Sequence, residues 1–130
     1  MDERFEQGIR DFNEGRYFEA HDVLEDLWEG YRAPDRLFVQ GLIQAAVAFY
    51  HLENGNFIGA RSLLQKACRK LDGYLPEYWG LSTDLLQSTL RNYLMRLQSQ
   101  DHSEEESIKD LVRPKIEYIS SSDGNHLSIV

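Results

Sequence analysis

The sequence predicts an all-α domain, on three observations. Apolar residues recur at helical spacing along almost the whole chain. The Val/Ile/Thr-rich alternating runs that mark strands are missing until the last dozen residues. A pattern of glycine turn, aromatic, small residue and leucine occurs twice, 40 residues apart, in NEGRYFEAHDVLEDLW and ENGNFIGARSLLQKAC. The expected architecture is a compact bundle of five to six helices with two tetratricopeptide-like helical hairpins, in which the small residue lets paired helices approach. Two units are fewer than an open solenoid needs, so they should close into a bundle. Residues 1–100 are expected to form the domain and 101–130 an extension that is partly ordered or frayed.

Each element has its own signal. Phe5, Ile9 and Phe12 mark a first helix that stops near Gly15, and Tyr17, Ala20, Leu24, Leu27 and Trp28 give one side of a second, closed by Gly30 and Pro34. The third, from about Asp35 to Glu53, is apolar nearly all round in LFVQGLIQAAVAFYHL and is expected to be the central, most buried element. After the turn at Asn54-Gly55-Asn56, Ala60, Leu63, Leu64, Ala67, Cys68 and Leu71 give a fourth helix with a single stripe. DGYLPEYWGLS reads as a loop anchored by its aromatics, and Ser82 or Thr83 should cap a fifth helix through Leu86, Leu90, Tyr93, Leu94 and Leu97. Ser103 and Glu106 have capping-box spacing for a short helix ended by Pro114. KIEYI is expected to lie extended on the domain, and the SSSDGNHLSIV tail to fray.

Composition narrows the function classes. A net charge of −8 repels phosphate backbones, and no Lys/Arg-rich stretch offsets it, so nucleic acid is not an expected partner. The N-terminal MDERFEQGIRDF has no apolar signal segment, and the apolar run Leu37–Leu52 is short of a bilayer span and carries Gln40, Gln44 and His51. The expectation is a cytoplasmic protein without a membrane partner. Cys68 is the only cysteine, which excludes an internal disulfide; on its stripe with Leu64 and Leu71 it reads as a small buried hydrophobe.

Polar residues on the apolar helices are the candidates for chemistry. At roughly 100° per residue, His21, Glu25 and Trp28 fall within about 60° of one another on the second helix, and Gln40, Gln44 and His51 within about 40° on the third. A buried amide without a partner costs about 1–3 kcal/mol, so the two patches are expected to satisfy each other. The main reading is a structural His/Glu/Gln network that fixes how the helices pack, with no cofactor. The alternative is a small metal-assisted or general acid/base hydrolase, with His21, Glu25 and His51 as divalent-metal ligands or proton carriers and Gln40 and Gln44 orienting substrate. Glu19, Asp22, Asp26 and Glu29 read as a solvated acidic face or, in the minority reading, a docking surface for a basic partner.

Three segments in order, FNEGRYFEAHDVLEDLW, RLFVQGLIQAAVAFYH and GNFIGARSLLQKA, resemble the domain of unknown function 309 family over about Phe12 to Leu71. The resemblance implies a compact helical domain and motif positions Glu19, His21, Glu25, Trp28, Gln40, Gly41, Gln44 and His51. It implies no activity. Asp22 stands where that family's pattern prefers glutamate, so a role needing the longer side chain is not carried over. The resulting expectation is a non-catalytic interaction or structural module whose protein or small-molecule partner is open and whose assembly into homo-oligomers is possible.

Overall fold

The computed structural model describes residues 2–32, 34–98, 108, 111 and 113–119. The described residues contain five α-helices: α1 (Glu3–Asn13), α2 (Tyr17–Trp28), α3 (Asp35–Glu53), α4 (Phe57–Leu71) and α5 (Thr83–Leu97). The capping box at Ser103 and Glu106 and the tail from Ser120 lie outside the described residues.

The repeat read from the sequence is a repeat of backbone geometry. Gly15 and Gly55 are left-handed, with φ of 81° and 75°. The residues after them, Arg16 and Asn56, share φ near −90° and ψ of 73° and 80°. In the first turn the amides of Gly15 and Arg16 bond back to the carbonyls of Phe12 and Asp11; in the second, those of Gly55 and Asn56 bond to Leu52 and His51. This pair of bonds satisfies carbonyls that a helix end leaves open, and its left-handed position is the one glycine fills without a Cβ penalty. The side chains repeat the theme: the buried Asp11 carboxylate accepts from Arg16, and His51 Nδ1 lies 3.3 Å from Asn56 Nδ2.

Packing follows chain order, α1 on α2, α2 on α3, α3 on α4 and α4 on α5. Within the first hairpin the helices meet where a Cβ on Gly8 would come within 2.6 Å of Leu24. Ala20 and Ala60, equivalent in the repeat, are both fully buried. Nine of the nineteen residues of α3 are buried, including Phe38, Leu42 and Phe49, which makes it the central helix. It is not sealed all round, however. Leu37 is 55% exposed and Tyr50 37%. Leu86, Leu90, Tyr93 and Leu97 bury one side of α5. Gln87 Nε2 ties that helix to α4 by donating to the Cys68 carbonyl at 2.9 Å and the Asp72 carboxylate at 2.6 Å.

The segment expected as a loop contains a short 3-10 turn (Asp72–Tyr74) and a hairpin of two strands, β1 (Glu77–Tyr78) and β2 (Leu81–Ser82). Both turn residues have positive φ, Trp79 at 51° and Gly80 at 78°, the geometry that matches strand twist in a two-residue connection. Aromatic anchoring holds as read: Trp79 packs edge-on against Phe5 and Phe38 at 5.1 and 5.4 Å between ring centroids. The KIEYI segment is extended on the domain. Asn13 clamps Ile116 through both backbone groups, at 2.9 and 2.7 Å. Ser82 donates to the Glu117 carbonyl and Ile119 to that of Gly80, which lays the segment along the hairpin. Among the described residues no helix is long and apolar enough to cross a membrane.

Candidate functional site

One residue of each polar patch, His21 and His51, reaches a common depression on the α2–α3 pair, bridged by aromatic rings rather than by a hydrogen-bonded network. Gln40, Gln44, Val47 and His51 run along α3 as a half-buried line, the seam where its core face turns outward. On the facing helix His21 is half-buried and Glu19 and Glu25 are exposed. Phe18, His21, Val47, Tyr50 and His51 line one depression of about 130 Å³. Phe18 stands 5.6 Å from both His21 and Tyr50 between ring centroids, and Tyr50 lies 6.3 Å from the His51 ring.

The polar contacts of this site are local. His21 Nε2 faces the Glu25 carboxylate at 3.5 Å and its Nδ1 faces the Phe18 carbonyl at 3.4 Å. Both are acceptors, so a neutral ring donates to one of them at a time. His51 turns to Asn56 across its own turn, as Asp11 turns to Arg16 in the first hairpin. The amide oxygen of Gln44 is buried and has no partner among the described residues, and neither has the indole nitrogen of Trp28. The Trp28 ring carries the Arg36 guanidinium at 3.7 Å from a ring centroid, a cation–π contact held by Arg36 donating to the Tyr31 carbonyl at 2.9 Å. Gly41 is buried, with the α4 backbone and Lys70 close by.

His21 and His51 thus share one wall, and Glu25 stands beside His21 outside the depression, which Gln40 and Gln44 do not line. Among the described residues no three His, Cys, Asp or Glu side chains are placed to hold one metal ion. Helical phase located the stripes but not the rings between them. Phe18 was missed because it lies off the apolar side of α2, yet an aromatic there, beside Glu19 and Asp22, was itself the available signal. Burial acts elsewhere on titrating groups: it pushes the Cys68 thiol up, and the Tyr17 hydroxyl up to about 12.

One curated relative is the uncharacterized protein YpuF of Bacillus subtilis (strain 168), 39% identical over 56 residues, which is 42% of this chain. The match spans about a third of that relative's own length, 32%. Residues 5–63, which carry the first hairpin, the whole of α3 and the aromatic depression, match the model of the family described as Domain of unknown function (DUF309).

Proposed function

We propose that this domain is a non-catalytic interaction module and that the α2–α3 face is its contact surface. The observation that carries this reading is the row of rings at Phe18, His21, Tyr50 and His51, with Phe18 51% exposed. Large aromatics left open around a concavity are typical of recognition surfaces. The duplicated turns fit a supporting role, since they fix the start of α2 and the end of α3, the two helices that carry the face. The reading places the protein in the cytoplasm, where a lone reduced Cys68 is ordinary.

Tagged protein recovered from its own cells, compared with two double variants, tests it. A stoichiometric partner should accompany the parent and the Ile58→Ala/Met95→Ala variant, which alters exposed apolar residues on α4 and α5, and be lost from Phe18→Ala/Tyr50→Ala. A partner indifferent to the aromatic changes would end the reading.

A second reading, a small metal-assisted or general acid/base hydrolase, draws on the shared wall of His21 and His51. It expects each histidine change to abolish divalent-metal binding or turnover while the melting temperature of the metal-free protein stays put.

A further inference from the structure

The exposed side of α2 adds the charge that the depression lacks. Glu19, Asp22, Glu25, Asp26 and Glu29 are all exposed, and the helix Tyr17–Trp28 contains no Lys or Arg. Of these, Asp26 is paired with Arg4 at 3.1 Å and Glu25 faces His21. Glu19, Asp22 and Glu29 have no cationic partner among the described residues, although the chain carries 14 Lys and Arg. An apolar depression therefore sits at one end of a helix whose open carboxylates, Glu19, Asp22 and Glu29, are spaced three and seven residues apart.

We propose that the depression formed by Phe18, Val47 and Tyr50 docks a basic amphipathic helix of another protein, with one apolar side chain seated among the rings and Lys or Arg side chains laid along the carboxylates of α2. The inference rests on the interaction-module reading and names its partner.

Size and spacing set these terms. A depression of about 130 Å³ approaches the roughly 150 Å³ of an engineered cavity that binds benzene, so it takes one leucine- or phenylalanine-sized anchor. From Phe18 the open carboxylates of Asp22, one turn on, and Glu29, at the C-terminal end of α2, follow at helical spacing. Cations at matching i and i+7 positions are what a second helix laid alongside presents. Such a partner gains an apolar anchor plus electrostatic steering from a chain of net charge −8. The same field works against two other occupants. Anionic lipid headgroups would be repelled by the acidic row, and a second copy of the chain would bring carboxylates against carboxylates.

Synthetic amphipathic peptides of about five helical turns test the proposal against the whole protein by fluorescence anisotropy. One is Leu/Lys, a second Leu/Glu with the same apolar face, and a third Leu/Gln. The expected result is binding of the Leu/Lys peptide that weakens about tenfold or more in Phe18→Ala/Tyr50→Ala. It should weaken severalfold in Glu19→Gln/Asp22→Asn and stay unchanged in Met95→Ala, which alters an exposed apolar residue on α5. Binding that ignores the Phe18 and Tyr50 changes overturns the proposal, because it reports charge alone. So does absence of binding. If the Leu/Glu or Leu/Gln peptide binds as well and still needs Phe18 and Tyr50, the basic partner is wrong while the interaction face stands. Sedimentation showing a dimer that Phe18→Ala dissolves, or flotation of the protein with phosphatidylserine vesicles, would assign the face to those occupants instead.

Discussion

Gly15 and Gly55 hold the same left-handed backbone at the same point of two like turns, 40 residues apart, and differ in what surrounds them. An added Cβ on Gly55 meets nothing within 4 Å, whereas on Gly15 it lands 2.7 Å from the Arg113 guanidinium. Gly55→Ala therefore isolates the backbone penalty of about 1 kcal/mol. Gly15→Ala should cost at least as much, since the Arg113 side chain must also move. Urea unfolding of the two variants measures both, and a Gly55→Ala protein as stable as the parent would remove the turn from the account.

Alkaline stability should depend on Tyr17. Its side chain is 4% exposed and packs against the rings of Phe12 and Phe49 at 5.3 and 5.6 Å. Burial is the main reason its hydroxyl stays neutral until about pH 12, against an ordinary value of 10. Between those values the unfolded chain releases a proton that the folded one keeps. Stability is thus intact below pH 10 and falls as pH rises towards 12, by on the order of 2 kcal/mol. Unfolding midpoints across that range should fall less steeply in Tyr17→Phe; parallel slopes would show that the hydroxyl is not the cause.

Asn13 substitutes for a strand partner of Ile116, donating to its carbonyl and accepting from its amide. Asn13→Ala strands both backbone groups and should cost about 1–3 kcal/mol. Hydrogen exchange at the Ile116 amide is the direct readout. Faster exchange there, with α3 amides unchanged, is expected.

Gln44 is a polar residue whose removal should be harmless. Its amide oxygen is buried without a partner among the described residues, so Gln44→Leu exchanges an unsatisfied acceptor for an apolar side chain of similar size. A melting temperature equal to or above that of the parent is expected. The double-mutant cycle with His21→Ala should be additive, because no hydrogen bond joins the two among the described residues. A coupling above about 0.5 kcal/mol would restore the network expected from helical phase.

The helices were legible because their signals are local. Phe5, Ile9 and Phe12, or Leu64, Cys68 and Leu71, each name a face and a stop without reference to the rest of the chain. The site was legible only by half. Phase places His21 with Glu25, and His51 on a line with Gln44, correctly. It cannot give the height at which two helices meet, and that height brings Phe18 to Tyr50 and leaves His51 free to turn towards Asn56. The strands at Glu77–Tyr78 and Leu81–Ser82 escaped for another reason. Two-residue strands carry no periodicity, and the Trp79-Gly80 turn has a left-handed tryptophan where Asn or Asp is the usual signal.

The extended segment from Lys115 to Ile119 has a consequence for the protein among its neighbours in solution. A short hairpin presents an open row of amides and carbonyls, which is an invitation for another chain to add a strand. Here the Ser82 amide and the Gly80 carbonyl are already taken by Glu117 and Ile119. The chain plugs its own sheet with a piece of itself, and clipping that piece away would turn a self-contained molecule into one with a sticky edge.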